Sequence, residues 1–225
     1  MGKDNQPKAR QAAELARKAG RRAPFDRILV VSEGSKTEPQ YLSELRAEYR
    51  LPTANVQVHP SRHGTTPLQV VEYAQHLFEH GDPEKDIGRR AFEQVFAVFD
   101  RDDHATYHNA LAKAAALDGK LRNDNNRPLH FAAVASVPCF ELWLLLHYQD
   151  VLAPVHRNEV YECLRQYLPG YDKGQSGHYG RTKAQLTQAY ERAEHLAGIH
   201  NAYDGEAPYT DIHHLVRLLS TLKNN

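Results

Sequence analysis

The chain alternates short apolar runs with stretches of helical periodicity, and the apolar runs indicate buried strands. Continuous runs of branched and aromatic residues occupy positions 28–31, 95–99 and 130–135, and a shorter alternating run occupies 56–59. Continuous apolar runs that end at polar residues are typical of strands covered on both faces, as in parallel sheets. The pattern therefore predicts strands at these positions.

Helical patterns separate and follow the strands. Apolar residues recur at helical spacing at 41–49 and 68–78, and helices are also predicted at 105–121 and 140–147. Alternating strands and helices predict an α/β fold with a mostly parallel, Rossmann-like sheet, flanked by helices and joined by right-handed crossovers.

Two of the helix starts carry the same capping signal. Thr37 is followed three residues later by Gln40, and Thr66 is followed three residues later by Gln69. In a capping box the hydroxyl and the amide satisfy backbone N–H groups that have no partner inside the helix. We therefore predict capping boxes at both positions.

The pattern changes beyond residue 150, where only helices are predicted, at 158–167, 183–197 and 211–222. We divide the chain into a basic N-terminal tail at 1–25, an α/β domain at 26–150 and a C-terminal helical extension at 151–225. The connector at 169–181 contains four glycines. It is interpreted either as a phosphate-facing loop or as an ordinary connection. Lys173 and Arg181 within it, together with Lys36, are candidate phosphate contacts.

Charge is balanced over the whole chain but not at its start. The 225 residues include 28 Lys and Arg and 28 Asp and Glu, whereas residues 1–23 have seven basic and two acidic residues, a net charge of +5. This segment is interpreted as a solvated tail or, alternatively, as an arm that contacts nucleic-acid phosphate. No signal peptide or membrane span is recognised, so a cytoplasmic, soluble protein is expected. Cys139 and Cys163 lack the spacing of a zinc site or a disulfide framework.

Carboxylates directly follow two of the strands. Glu33 and Gly34 come after the first strand, and Asp100, Asp102 and Asp103 come after the run at 95–99. Open α/β sheets bind ligands at this edge, and the acids face one another if the two strands are neighbours. Carboxylates this close repel by about 1 kcal/mol per pair in water, so a cation or a basic group is expected among them. Oxygen ligands favour Mg²⁺ or Mn²⁺ over zinc.

Simpler structural roles for these residues stay open. Asp102 or Asp103 can cap the next helix. Glu141, in the first turn of a nearly apolar helix, either faces the crevice or interacts with the positive end of that helix. His104 and His108 lie four residues apart but lack a third ligand, so they are interpreted as surface residues.

Three segments resemble the RloB family of bacterial defence and restriction-locus proteins: VSEGSKTEP at 31–39, FDRD at 99–102 and PCFELWLLLH at 138–147. The first two are also similar to the Toprim fold of topoisomerases, primases and related nucleases. The resemblance implies a Toprim-like nuclease, in which Glu33 matches the Toprim glutamate and Asp100 and Asp102 match its Asp-x-Asp pair. It further implies antiphage defence by abortive infection, often beside an AAA-type ATPase partner.

We predict a metal-dependent nuclease that hydrolyses phosphodiester bonds of nucleic acid, either DNA or an RNA such as tRNA. Glu33 is the predicted general base or acid, and Glu33, Asp100 and Asp102 are the predicted ligands of Mg²⁺ or Mn²⁺. The predicted accessory residues are Glu38, Asp103 and Glu141. The alternatives are a non-catalytic subunit that senses a nucleotide or nucleic acid for an ATPase partner, and a scaffold whose acids only cap helices. The oligomeric state is open, with a homo-oligomer among the alternatives.

Overall fold

The computed structural model describes residues 25–223, and within them the strands form a five-stranded sheet. The strands are β1 (Ile28–Ser32), β2 (Val56–Pro60), β3 (Gln94–Asp100), β4 (His130–Val137) and β5 (Tyr209–Thr210). Their order is β2-β1-β3-β4-β5, with the first four strands parallel and β5 antiparallel to β4. The predicted mostly parallel sheet is confirmed.

The helices lie between and after the strands. They are α1 (Thr37–Glu48), α2 (Pro67–His80), α3 (Tyr107–Leu117), α4 (Glu141–Leu146), α5 (Arg157–Tyr167), α6 (His178–Thr182), α7 (Leu186–Ile199) and α8 (Ile212–Thr221), with short 3₁₀ turns at Pro83–Lys85 and Lys183–Gln185. Each parallel strand except the last is followed by a helix that returns the chain to the opposite end of the sheet, as parallel pairing requires.

The two faces of the sheet are covered by different helices, because successive side chains of a strand point to opposite faces. Ile28 and Val30 belong to a core with α1, α4, α5, α7 and α8. Leu29 and Val31 belong to a second core with α2 and α3. Both faces of the sheet are therefore buried, which explains the continuous apolar runs and confirms the predicted α/β class.

The strand order brings the ends of β1 and β3 together. The chain leaves β1 toward β2 on one side, then passes over β1 to form β3 on its other side. Ser32 is paired with Val98 in this register. Open α/β sheets bind ligands at such a reversal of strand order, outside the carboxyl ends of the strands. Residues 33 and 100–103 thus meet at the edge where a ligand is expected.

Some predicted element boundaries were wrong. The region beyond residue 150 is not purely helical, because Tyr209–Thr210 forms β5 on the edge of the sheet. The connector at 169–181 is shorter than predicted, since α6 begins at His178. Helix α3 ends before residue 121 because Asp118 accepts hydrogen bonds from Phe131 N at 2.9 Å and His130 Nδ1 at 3.0 Å, which turns the chain toward β4.

Only one of the two predicted capping boxes forms. Thr66 accepts from Gln69 N, and the Gln69 side chain accepts in return from Thr66 N. Thr37, by contrast, is buried inside the first turn of α1, whose N-cap is Lys36 without a side-chain hydrogen bond. The Gln40 amide instead donates to Gly174 O at 3.4 Å. The α1 start is therefore fixed by burial and by contact with the C-terminal region.

The predicted basic tail lies outside the described residues, apart from Phe25. Among the residues that the structure describes, no helix has the length and apolar character that crossing a membrane requires. The boundary at residue 150 stays a prediction. Val160 and Leu215, which follow it, share a core with Ile28 of β1.

Candidate active site

Glu33 is held at the end of β1 by the neighbouring strand. Its backbone N–H donates to Val98 O at 2.8 Å, and its Oε2 accepts from the backbone N–H of Asp100 at 3.0 Å. The side chain is 13% exposed. Burial raises the pKa of Glu33 to about 7, although the Asp100 N–H opposes the shift, and nearby Asp102 adds to it. This carboxyl group can therefore gain or lose a proton near neutral pH.

Gly34 gives room to a second carboxylate. A Cβ atom at this position would lie 2.1 Å from Oε2 of Glu38, so no larger residue fits without displacing that side chain. Gly34 is not among the glycines with positive φ, so close approach and not a left-handed backbone explains it. Glu38 is buried in the first turn of α1, and burial, then the charge of Glu141, raises its pKa to about 7.

Asp100 turns inward at the end of β3. It is 5% exposed, and its Oδ1 accepts from the backbone N–H of Phe140 at 2.8 Å, just before α4. Burial raises the pKa of Asp100 well above its ordinary value, and the charges of Glu38 and Glu141 raise it further. Asp100 thus links the strand end to α4, and its predicted role as a metal ligand stays a prediction.

Asp102 lies in a turn with a strained backbone. Its φ is 38°, a left-handed value that costs a residue with a side chain about 1 kcal/mol. Its N–H donates to Pro138 O at 3.3 Å, which holds the turn against the end of β4. The predicted capping role was wrong, because α3 has Thr106 as N-cap without a side-chain bond, and Asp103 is exposed. Strain of this kind persists where the surrounding structure holds it, often at functional sites.

Arg157 provides a cation that the sequence analysis missed. Its Nη1 lies 2.6 Å from Oδ2 of Asp102, and its Nη2 donates to the hydroxyl of Tyr161 at 3.3 Å. Burial raises the pKa of Asp102, and Arg157 opposes that shift. The available signal is local: Arg157 directly precedes the predicted helix at 158–167 and lies four residues before Tyr161, but this spacing does not connect it to Asp102.

Glu141 faces the site and is not merely a charge at a helix end. The side chain is 1% exposed, and its Oε1 accepts from the hydroxyl of Tyr171 at 2.8 Å. Lys173 Nζ lies 3.5 Å from the same oxygen and 5.0 Å from the ring centre of Tyr161. Burial lowers the pKa of Lys173, but Glu141, Tyr161 and Asp100 together outweigh it and the net shift is upward. The connector therefore brings one of its two predicted cations to the acids.

The other predicted phosphate contacts lie at the margin. Lys36 is exposed, and its side chain passes over Gly174, where a Cβ atom would lie 2.5 Å from the Lys36 Cδ. Arg181 donates to Pro169 O at 3.2 Å and so contacts its own connector. These contacts place Lys36 beside the Lys173 segment, whereas the Arg181 guanidinium contacts a backbone carbonyl of its own connector.

Glu33, Asp102 and His104 form the candidate metal group. One ligand atom of each lies within 4.8 Å of those of the others, and His104 Nε2 is 3.5 Å from Glu33 Oε1. His104, interpreted as a surface residue, is 30% exposed, and its ring also contacts Glu33, a contact that the sequence analysis did not include. Oδ1 of Asp102 is buried without a hydrogen-bond partner, which fits a cation. Two carboxylates with an imidazole suit Mn²⁺ as well as Mg²⁺.

Negatively charged side chains outnumber positively charged ones around the candidate metal group. Acids outnumber the cations that contact them: Glu33, Glu38, Asp100, Asp102 and Glu141 face Arg157 and Lys173. Glu141 Oε2, like Asp102 Oδ1, is buried without a partner. Protons or a divalent cation can offset the excess, and the raised pKa values of Glu33, Glu38, Asp100 and Asp102 favour protons when no metal is bound.

A model of the RloB-like protein family matches residues 28–219, from β1 into α8, and the chain belongs to this family. The match includes every residue of the candidate site. No curated protein and no solved structure matches the chain. The Toprim relationship and the defence role stay predictions.

Proposed function

We propose that the protein is a metal-dependent nuclease that hydrolyses phosphodiester bonds. The observation that carries the proposal is the meeting of Glu33, Asp102 and His104 at the reversal of strand order, with one Asp102 oxygen buried and unpaired. Oxygen-rich ligand sets at such an edge are suited to cations that bind phosphate.

Three residues would hold the metal, and one of them, Glu33, would also move a proton. Glu33, Asp102 and His104 would hold Mg²⁺ or Mn²⁺, which neutralises phosphate oxygens and stabilises charge on the transferring group. Glu33, whose pKa is about 7 without a metal, would also accept a proton from the attacking water or return one to the leaving oxygen. Lys173, whose Nζ lies 3.5 Å from Glu141 Oε1, would contact substrate phosphate.

The family resemblance extends the proposal to biology. We propose a Toprim-like effector of antiphage defence that acts with an AAA-type ATPase partner, and RNA such as tRNA is one candidate substrate. Co-purification of the chain with an ATPase encoded beside it tests the partner. If the chain does not co-purify with the ATPase at any mixing ratio, the ATPase is removed from the proposal, and the proposed nuclease activity is not affected.

The chemistry is tested with purified protein and end-labelled substrates. Single-stranded RNA, single-stranded DNA and plasmid are incubated with Mg²⁺, with Mn²⁺ or with EDTA. We expect at least one substrate to be cut with a divalent cation and none in EDTA. Cutting by Asp102→Asn with the wild-type dependence on Mn²⁺ concentration would count against this site.

A second candidate function is a non-catalytic nucleic-acid sensor. It is favoured by the Arg157–Asp102 ion pair, because Arg157 offsets the negative charge of a candidate metal ligand when no metal is bound. A sensor would bind nucleic acid equally well with and without Mn²⁺ and release no product under any condition. A nuclease would release product only with the cation.

A further inference from the structure

A cavity of about 510 Å³ adjoins the candidate metal group. It lies at the carboxyl ends of β3 and β4, and Asp102, His104 and Arg157 line both the cavity and the site described above. Pockets of about 300 to 1,000 Å³ accommodate small organic ligands. The cavity therefore has room for a part of the substrate next to the reacting phosphate.

The walls suit a flat ring. Apolar surface comes from Val137, Pro138 and Val155, and rings come from Tyr107 and His108. The His108 ring is itself stacked on a neighbouring tyrosine ring, with planes 14° apart and centroids separated by 5.9 Å. Apolar and aromatic walls are the surfaces on which proteins hold unstacked nucleobases.

Arg101 adds an unused donor to the same wall. Its Nη1 is buried without a hydrogen-bond partner, and its guanidinium carbon lies 6.0 Å from the ring centre of Tyr107. A buried donor without an acceptor is unfavourable, so a ligand acceptor there is favoured. Guanidinium groups donate to the carbonyl and ring-nitrogen acceptors of bases, whereas Asp103 and Glu206, which also line the cavity, can accept from exocyclic amino groups.

We propose that this cavity binds one unstacked nucleobase of the substrate strand beside the scissile phosphate. A base within a duplex is paired and stacked, so only a single-stranded or flipped-out nucleotide can enter. The inference rests on the proposed nuclease function and adds its substrate class: a strand with at least one unpaired nucleotide at the site of cutting.

The test introduces a bulky side chain into the cavity at an exposed residue of its lining. Ala105 lines the cavity and is exposed, whereas Ala112 is exposed on α3 and is not part of the lining. Binding of a fluorescent single-stranded RNA 8-mer, and of the corresponding DNA, is measured in EDTA so that no cutting occurs. We expect Ala105→Trp to weaken binding about tenfold and Ala112→Trp to leave it within about twofold. Wild-type protein should bind a blunt duplex of the same sequence about tenfold more weakly.

A second pair of variants covers the case in which tryptophan disturbs the fold. Arg101→Ala removes the unpaired donor, and Arg89→Ala removes an exposed arginine that is not part of the cavity lining. We expect weaker binding of the 8-mer, about fivefold, only for Arg101→Ala. Thermal unfolding of all variants identifies any that are not folded.

The outcomes separate the cavity from the chemistry. Equal binding by Ala105→Trp and Ala112→Trp, with Arg101→Ala also unchanged, overturns the inference even if the protein is a nuclease. Equal affinity for duplex and single strand overturns it as well. Selective weakening in EDTA together with no cutting under any cation supports the cavity and refutes the nuclease.

Discussion

Arg157 Nη1 lies 2.6 Å from Oδ2 of Asp102, which ties the first turn of α5 to the turn after β3. The other oxygen of Asp102 is buried and has no partner. The C-terminal helices therefore supply a fixed positive charge beside the candidate metal group, and a divalent cation would share Asp102 with that charge. The pair consequently affects metal affinity and phosphate binding in opposite directions.

Arg157→Ala should tighten Mn²⁺ binding and impair cutting. Removing a fixed positive charge next to a cation site lowers the repulsion, and we expect at least about threefold higher affinity at pH 8 in titration calorimetry. The cutting rate should fall about tenfold, because a cation beside the phosphate is lost. Arg165→Ala, an exposed position on the same helix, is the matched control. Weaker Mn²⁺ binding in Arg157→Ala would show that the arginine organises the site and does not compete with the metal.

Asp102→Asn should weaken Mn²⁺ binding about tenfold or more, since an amide is a poorer ligand than a carboxylate. The shape of the side chain and an acceptor for Arg157 are kept, so the melting temperature should change little. Asp103→Asn is the control, because Asp103 is the adjacent, exposed acid outside the candidate group. If both variants bind Mn²⁺ alike, the shared site of Glu33, Asp102 and His104 is not the metal site.

The sheet could be predicted because its signal is local. Each buried strand is a run of apolar residues that stops at a polar one, and the acids at 33 and 100–103 mark where β1 and β3 end. Right-handed crossovers restrict the possible topologies but leave the strand order open. The meeting of Glu33 with the acids after β3 was therefore predicted only on the condition that β1 and β3 are neighbours, and the strand order meets that condition.

The distribution of roles among these acids could not be predicted. The left-handed backbone of Asp102 is a tertiary property, and it directs His104 to Glu33 whereas helical spacing pairs His104 with His108. Asp100 points inward because Phe140, 40 residues later, offers an N–H. Arg157 lies 55 residues beyond Asp102, on an element whose periodicity gives no partner.

Glu38→Gln should flatten the dependence of stability on pH. Burial raises the pKa of Glu38 to about 7, so between about pH 4.5 and pH 7 the folded state binds a proton that the unfolded state has lost. Stability from this group is full below the unfolded pKa and is lost as pH rises through about 7. Between pH 6 and pH 8, the melting temperature of the metal-free wild-type protein should fall more than that of the variant. Both proteins contain the same buried histidines, so the contribution of these residues cancels in the comparison. A steeper loss in the variant would contradict the raised pKa.

Glu141→Gln and Lys173→Met should each impair cutting, and their effects should not be additive. The Glu141 carboxylate orients Lys173, which is 45% exposed and can turn to solvent when released, so stability should change little. Each single variant is expected to lose about tenfold in rate at saturating Mn²⁺, and the double variant little more than either. Multiplicative losses would mean that the two residues act independently. A Glu141→Gln protein that cuts normally would leave the carboxylate with a structural role.

The strongest prediction concerns Glu33, whose structural and chemical roles are separable. The Asp100 N–H needs only an acceptor, and the amide oxygen of glutamine supplies one. Glu33→Gln should therefore keep or raise the melting temperature at pH 8, because a buried carboxylate with a raised pKa is replaced by a neutral group.

Proton transfer, in contrast, cannot survive the substitution. General acid or base catalysis commonly contributes about 10² to 10⁴ in rate, so cutting by Glu33→Gln should fall by that range at Mn²⁺ concentrations high enough to restore occupancy. Glu72→Gln, on α2 and outside the candidate group, is the control. Because the measurement is made at saturating metal, a lost ligand and a lost base are distinguished: the rate recovers with added Mn²⁺ in the first case and stays low in the second. Full activity in Glu33→Gln would remove it from the chemistry, and a collapsed melting temperature would assign it to the fold.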